Sequence, residues 1–213
     1  MTINLVRHLF SAMKKKSKKK KTILVVLFII VLGFLIPQSF RMPVRGATQS
    51  SYNPESFWFY PWGKSVTHKG VDIFASKGTS VVSSTVGIVL YKGKMGKGGN
   101  VVVILGPKWR IHYYAHLNSI STHIFSLVIP GKKIGSVGAS GNAQGKSPHL
   151  HYAIATLIPY PWRIDFDHQG WKKMFYLNPI DYLKQTRLPK INQLDLDKYK
   201  FTSIDVSRRC KRQ

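Results

Sequence analysis

Hydrophobic and polar positions alternate in short runs through the central part of the chain. The runs are rich in β-branched and aromatic residues and are separated by glycine, as is typical of strands joined by tight turns. The pattern predicts a mostly β, antiparallel, sandwich-like domain. The predicted strands are residues 80–83, 87–91, 100–105, 110–115 and 149–158, and a short closing helix is expected at residues 178–183.

A longer apolar run precedes this region. Residues 22–36 are uncharged and mostly apolar, and the segment can be extended to residue 40. A helix that crosses a bilayer needs about 20 mostly apolar residues, although about 17 can suffice. The run therefore predicts one N-terminal transmembrane helix at residues 22–40. A cleaved signal peptide has an apolar core of similar length, but no small-x-small cleavage pattern closely follows this one.

Positive charge is concentrated at the start of the chain. The formal net charge is +25, and the first 21 residues contain eight lysines and arginines and no acid. Because lysine and arginine favour the cytoplasmic side of a membrane span, we expect residues 1–21 inside the cell and the rest outside. A nucleic-acid-binding arm would also be rich in lysine, but the position beside an apolar run favours topology.

These patterns divide the chain into five segments. We expect a basic cytoplasmic tail, a transmembrane anchor, a linker rich in proline and glycine, one folded domain and a basic C-terminal tail. The single cysteine, Cys210, lies in the last segment and cannot form an internal disulfide. The predicted boundaries are residues 1–21, 22–40, 41–55, 56–187 and 188–213.

Three histidine motifs supply the candidate chemistry. In His149-Leu150-His151, residues two apart on a strand project to one face, so both rings can reach one cavity. His68 and Asp72 add an imidazole and a carboxylate, which are ordinary ligands of zinc. A further histidine lies in Tyr114-Ala115-His116-Leu117. Three protein ligands would leave one position of a tetrahedral zinc open, as in catalytic sites.

His112 and Trp62 are two further candidates for the site. Strict alternation along the strand at residues 110–115 would place His112, Tyr114 and His116 on one face, which makes His112 a competing metal candidate. Its separation of two strand steps from His116 favours an ordinary packing or exposed histidine instead. Among the aromatic residues before the first motif, Trp62 is the best candidate for a wall of the site.

In this order the motifs resemble the lysostaphin-like, or LytM-type, zinc metalloendopeptidases, which cut the peptide part of bacterial peptidoglycan. The resemblance covers about residues 62–154 and includes the glycine-rich segments between the motifs. It implies a peptidase domain with a groove and one Zn²⁺ per chain. By this resemblance the metal ligands are His68, Asp72 and His151, and the catalytic residues that do not bind metal are His116 and His149.

The resemblance implies hydrolysis of peptide bonds in peptidoglycan stem peptides or cross-links through a metal-activated water. Because Glu55 is the only glutamate, the two histidines are the expected proton-transfer groups, with their individual roles left open. One departure is visible: the family often has an acidic residue soon after the last histidine, where this chain has Tyr152-Ala153-Ile154. A supporting contact is therefore expected to differ.

Two other classes of function are compatible with parts of the sequence. A non-catalytic regulatory module would bind peptidoglycan or activate another wall hydrolase, but such members of the superfamily have lost zinc ligands, and here all five positions are filled. A nucleic-acid-binding protein would rest on charge alone, so no specific nucleic acid is expected. The favoured expectation is a single-pass protein of the bacterial cytoplasmic membrane, with its N-terminus inside and its catalytic domain in the periplasm or cell-wall space.

Overall fold

The computed structural model describes the backbone of residues 2–184 and the side chains of residues 18–184. The predicted C-terminal tail at residues 188–213, with Cys210, lies outside the described residues. Within them the structure is mostly β and antiparallel, so this part of the predicted fold class is confirmed. The strands are β1 (Val71–Phe74), β2 (Ser80–Val82), β3 (Gly87–Met95), β4 (Gly99–Gly106), β5 (Arg110–Ala115), β6 (Leu117–Ile120), β7 (Leu127–Val128), β8 (Lys133–Val137), β9 (His149–Thr156) and β10 (Tyr176–Leu177).

These strands form two sheets that share one core. The larger sheet has seven strands in the order β1-β9-β5-β4-β3-β7, with β10 beside β9, and the smaller sheet has the order β2-β8-β6. Each large apolar side chain that is fully buried stabilises the domain by roughly 1.5–3 kcal/mol. Core side chains from the two sheets include Val71, Ile73, Val102, Ile104, Leu150 and Ile154 from the larger, and Val81, Ile134 and Val137 from the smaller.

Strand β9 brings the separated motifs together. It pairs with β1 on one side, where Asp72 lies opposite His151, and with β5 on the other, where Ala115 lies opposite His151. Residues directly opposite each other in an antiparallel pair have Cβ atoms about 4.5–5.5 Å apart and point to the same face. The register therefore places parts of all three motifs on one face of the larger sheet.

The segment expected to be a linker, residues 41–55, lies against the domain. Val44 forms an isolated antiparallel bridge with Val81 and is buried, and Tyr52 also belongs to the core. At the other end of the domain, the short helix α2 (Pro179–Leu183) closes the core with Ile180, close to the predicted position at residues 178–183.

The N-terminal helix, α1, spans Thr2–Leu35. It ends before Pro37, since proline disfavours helical geometry in the residue that precedes it. The indole N–H of Trp109 donates a hydrogen bond to the backbone oxygen of Ile30 over 2.9 Å. Among the residues that the structure describes, no helix combines the length and apolar character needed to span a bilayer. The transmembrane helix predicted at residues 22–40 is therefore not confirmed.

Candidate metal centre and groove

Three side chains converge on one face of the larger sheet. His68 Nε2 lies 3.2 Å from Asp72 Oδ1 and 3.1 Å from His151 Nδ1. His151 Nδ1 lies 2.8 Å from the same oxygen of Asp72. Donor atoms around a tetrahedral zinc, with bonds of about 2.0–2.1 Å, are about 3.4 Å apart. The three donor atoms thus form a triangle close to the size that a metal ion requires.

Backbone contacts orient the rings of this centre. His68 Nδ1 lies 2.9 Å from the backbone oxygen of Ser56. Because a carbonyl can only accept, Nδ1 donates the proton and Nε2 presents its lone pair to the centre. Gly70 permits the close approach of the third ligand, since a Cβ there would lie 2.9 Å from His151 Nε2 and 2.6 Å from the backbone oxygen of Tyr152.

The protonation states of the centre suit metal binding. Burial by itself raises the pKa of the Asp72 carboxyl, but hydrogen bonds with His151 and His68 outweigh it, so this pKa lies well below its ordinary value. Burial lowers the pKa of His151, against the raising effect of its hydrogen bond with Asp72. A charged carboxylate and neutral imidazoles are the forms that coordinate a cation.

His116 does not lie on the face that strict alternation predicted. Strand β5 ends at Ala115, and His116 has a left-handed backbone with φ of 63°. This conformation costs a non-glycine residue roughly 1–2 kcal/mol, and it turns the ring away from the face of His112 and into the groove. Two hydrogen bonds hold His116 there: its backbone N–H donates to the oxygen of Gly98 over 2.8 Å, and Nδ1 donates to that of Ser140 over 2.9 Å.

Two glycines hold the acceptors of His116 in place. Gly99 and Gly141 both have left-handed φ values, 63° and 67°. Their backbones lie against each other so closely that a Cβ on Gly99 would collide with Ser140 and Gly141, and one on Gly141 would collide with Lys97 and Gly99. Glycine alone combines this conformation with this contact. The contact between the two glycines therefore holds together the two loops whose carbonyls orient His116.

His149 lies beside His116, with ring centroids 5.0 Å apart. Its Nδ1 is 2.8 Å from the backbone oxygen of Ser147, so Nδ1 donates and Nε2 faces the groove, 3.9 Å from Asp72 Oδ2.

Burial, and to a lesser degree the neighbouring His151 and His149, lowers the pKa of His116 to about 4. His116 is therefore neutral near pH 7. The structure brings both predicted catalytic rings next to the metal centre.

His112 lies on the opposite, buried face of the sheet. Its Nδ1 is 2.7 Å from the hydroxyl of Tyr152, and its Nε2 is 3.0 Å from the side-chain nitrogen of Gln38. Because an amide nitrogen only donates, Nε2 accepts and Nδ1 donates. Burial, with a smaller effect of Arg110, lowers the pKa of His112 to about 3. The hypothesis that His112 competes for the metal is wrong, because both ring nitrogens already have protein partners.

Aromatic side chains form the walls of a groove of about 530 Å³ around the centre. Trp62, the wall predicted from the sequence, stacks on His68 with ring centroids 4.1 Å apart. The ring centroid of Phe74, which also lines the groove, lies 5.4 Å from that of His149. Apolar surface is therefore available for packing beside both His68 and His149.

Several residues of this groove were not predicted from the sequence. Tyr113 lines it, with its ring centroid 6.3 Å from that of His151. Alternation along β5 would have placed Tyr113 on the face opposite to His116, so its position became recognisable only from the pairing of Ala115 with His151. Three lysines also line the groove, and their convergence could not be recognised because they come from separate loops: Lys69, Lys97 and Lys146.

Two imidazoles and a carboxylate converge in a groove on an antiparallel sheet, an arrangement that could hold a metal ion. Residues 66–159 match the model of peptidase family M23. The chain therefore contains a peptidase M23 domain, and the predicted resemblance to the lysostaphin-like family is confirmed.

Two curated relatives each match about half of the chain. The chain is 38% identical over 125 residues to the L-Ala–D-Glu endopeptidase of Bacillus subtilis, covering 54% of this chain and 37% of that protein. It is 30% identical over 118 residues to the murein hydrolase activator NlpD of Salmonella dublin, covering 51% of this chain and 30% of that protein. This chain therefore spans only about a third of the length of these curated relatives.

The fold is similar to that of a solved peptidase. The catalytic domain of the antimicrobial peptidase lysostaphin from Staphylococcus simulans superposes with a TM-score of 0.50 and 25% sequence identity. The match covers 61% of this chain and 90% of that domain. The similarity therefore extends over nearly all of that catalytic domain.

Proposed function

We propose that this protein is a zinc-dependent endopeptidase that hydrolyses peptide bonds in peptidoglycan stem peptides or cross-links. The observation that carries the proposal is the triangle of His68 Nε2, Asp72 Oδ1 and His151 Nδ1 beside two further histidines in one groove. The similarity to the L-Ala–D-Glu endopeptidase of Bacillus subtilis supports the substrate class.

The donor set fits zinc. One carboxylate oxygen and two imidazole nitrogens are ligands that Zn²⁺ accepts, and three protein ligands are typical of its catalytic sites. The proposed ligands are His68, Asp72 and His151, one ion per chain. A bound Zn²⁺ supplies Lewis acidity, which polarises a carbonyl and makes water nucleophilic near neutral pH.

His116 and His149 are the proposed proton-transfer groups. Each donates its Nδ1 proton to a backbone carbonyl, so each presents Nε2 to the groove as a base. A neutral Nε2 can take a proton from the attacking water, and a protonated one can stabilise the carbonyl oxygen or donate to the leaving amine. Apart from Asp72, no carboxylate is present among the described groove residues, so the two imidazoles are the available general bases.

A second candidate function has a specific observation in its favour. Similarity to the murein hydrolase activator NlpD supports a non-catalytic role in which the domain stimulates another wall hydrolase. The complete set of five site residues favours the enzyme. The two functions differ in what they require. An endopeptidase needs a bound metal and releases peptide fragments by itself, whereas an activator needs neither property.

We also propose that the domain acts in the periplasm or cell-wall space, attached to the cytoplasmic membrane through its N-terminal segment. The support is the lysine cluster that precedes the apolar residues 22–36, together with the location of the proposed substrate. A C-terminal reporter fusion should give an extracytoplasmic signal and stay with membranes in high salt. Recovery of a soluble protein that begins near residue 47 would show instead a cleaved signal peptide.

The main experiment uses the full chain loaded with zinc and purified peptidoglycan. Mass spectrometry should detect released fragments whose ends identify the cleaved bond, and a chelator should abolish their release until Zn²⁺ is added back. Full hydrolysis by protein of verified zero zinc content would exclude the mechanism. If zinc-loaded protein releases nothing but accelerates a second wall hydrolase, the activator function is supported instead.

A further inference from the structure

The groove around the metal centre has an unusual balance of charge. Three lysines line it, Lys69, Lys97 and Lys146, and the only acidic side chain among its described lining residues is Asp72. Asp72 cannot serve as their counter-ion, because its Oδ1 contacts both ligand histidines and its Oδ2 faces His149. A bound metal ion would add further positive charge. The groove is therefore cationic at the place where a substrate would lie.

Elsewhere in the described part of the chain, a lysine near aromatic residues is paired with carboxylates. Lys173 forms ion pairs with Asp165 and Asp167. Among residues 18–184, by contrast, no carboxylate lies within ion-pair distance of the three groove lysines. The contrast shows that the chain neutralises a lysine in one cluster and leaves the groove without a neutralising acid.

Lys69 is held in place as part of the groove wall. Its ammonium group donates to the backbone oxygens of Ser65, at 3.0 Å, and Thr67, at 3.3 Å, and to the hydroxyl of Thr67 at 3.0 Å. All three acceptors are neutral, so they fix the position of the charge without cancelling it. Lys69 thus contributes a fixed positive field next to His68, but it has no N–H left for a ligand.

The other two lysines keep donors available and lie in the two loops whose carbonyls bind His116 and His149. Lys97 belongs to the turn Gly96–Gly98, whose last residue accepts the backbone hydrogen bond of His116, and it donates only to the oxygen of Lys64, at 3.3 Å. Lys146 lies in the loop that leads into His149 and is exposed. An ammonium group has three donors, so each lysine can bind a carboxylate without losing an existing contact.

We propose that the groove selects peptides that carry a free carboxylate within one or two residues of the scissile bond, and that Lys97 and Lys146 bind this carboxylate. The inference rests on the proposed function, because it takes the occupant of the groove to be the substrate. Opposite charge in a groove raises the local concentration of the ligand and fixes its register. The lysines therefore act on substrate binding, while proton transfer remains with the histidines.

The test uses two synthetic peptides that contain the same candidate bond and differ only in one group, a free carboxylate or its carboxamide. Binding is measured by titration and turnover by fragment release, with the zinc-loaded full chain. The variants are Lys97→Gln, Lys146→Gln and the double change. Lys133→Gln is the matched control, because Lys133 is equally cationic and exposed but lies in β8 and does not line the groove.

We expect the carboxylate peptide to have about a tenfold higher kcat/KM than the carboxamide, mainly through KM. Each single variant should lower kcat/KM for the carboxylate peptide by about threefold and the double variant by about tenfold. The carboxamide peptide should respond to neither change, and Lys133→Gln should behave like the wild type with both peptides.

Equal affinity for the two peptides would overturn the inference, as would undetectable binding of both. An effect of Lys133→Gln as large as that of Lys97→Gln would also overturn it, because the overall charge would then be the cause. The two hypotheses fail separately. If the carboxylate peptide binds better but neither peptide is cleaved, the proposed hydrolysis fails and the selectivity stands. If both peptides are cleaved equally and bind equally, the hydrolysis stands and the selectivity fails.

Discussion

The two faces of strands β5 and β9 carry the same kinds of side chain and use them differently. On the core face, His112 bonds through both ring nitrogens, to Tyr152 and Gln38. On the groove face, His116 and His149 each bond through Nδ1 to a backbone carbonyl. Among the described residues, neither of these two has a hydrogen-bond partner at Nε2.

The difference lies in how many ring nitrogens the protein itself satisfies. A buried polar atom without a partner costs about 1–3 kcal/mol, so a fully paired histidine is explained by packing alone. A histidine that is oriented by one bond and left open at the other nitrogen is prepared for a ligand or a proton. By this criterion His112 is structural, and the groove histidines are functional candidates. The following predictions test this contrast.

The largest effect is expected from His151→Ala. It removes one of three proposed metal ligands, so bound zinc should fall far below one per chain and hydrolysis should fall to background. Elemental analysis and fragment release measure the two properties. A variant that keeps stoichiometric zinc and activity would show that His151 is not a ligand.

His116→Ala and His149→Ala should separate catalysis from metal binding. Zinc should stay near one per chain, because neither ring belongs to the ligand triangle, while kcat should fall by roughly 10²–10⁴-fold, as is typical for loss of a general acid or base. If the pair acts as a unit, the double variant should cost less than the product of the single effects. Loss of zinc in His149→Ala, with retention in His151→Ala, would reverse the two roles.

Gly70→Ala should weaken the metal site without removing a ligand. The new Cβ would lie 2.9 Å from the ring of His151, so that ring must move, and zinc affinity should fall by about 10–100-fold, as for other changes that disturb ligand orientation. Competition with a chelator measures the affinity. Gly78→Ala is the control, because Gly78 has a left-handed φ of 92° but open space around its Cα. It should lower stability and leave zinc affinity unchanged.

The smallest effect concerns stability and His112. Its pKa is about 3 in the folded protein, against an ordinary 6.5, so the unfolded chain binds a proton between these values that the folded protein does not. The contribution of His112 to the free energy of unfolding is complete above pH 6.5 and is lost as the pH falls, by up to about 1.4 kcal/mol per pH unit.

Denaturant unfolding of the wild type and His112→Gln at pH 7, 6 and 5 measures this difference. The variant should show the shallower loss of stability on acidification, with zinc content and kcat close to those of the wild type. Equal slopes in the two proteins would mean that His112 is not the buried titrating group that the structure indicates.

The pattern of the sequence predicted strand boundaries most reliably where the strand depends only on its own residues. The strand predicted at residues 110–115 coincides with β5, and the strand at residues 149–158 differs from β9 only at its end. Strand β3 was predicted to end at residue 91 but continues to Met95, because Gly93 is accommodated within the strand although it is typical of a turn.

Long-range geometry explains what the sequence could not provide. Alternation describes a regular strand, so it could not predict that His116 leaves β5 in a left-handed conformation. That turn depends on carbonyls of Gly98 and Ser140, which lie far from each other in sequence. In the same way, motif order predicted which residues form the centre, whereas the register of β9 between β1 and β5 was needed to bring them together.

The contact between Gln38 and the back of the sheet has a practical consequence for the design of expression fragments. A fragment that starts at residue 41, at the expected linker boundary, would delete the donor to His112 and an acceptor of Arg110, whose guanidinium lies 2.7 Å from the Gln38 side-chain oxygen. One that starts at Pro37 keeps both contacts and also Phe40, which stacks on Tyr182. Crystallisation trials should therefore begin from the longer fragment, because the shorter one exposes the surface around His112 and Arg110 that Gln38 and Phe40 cover.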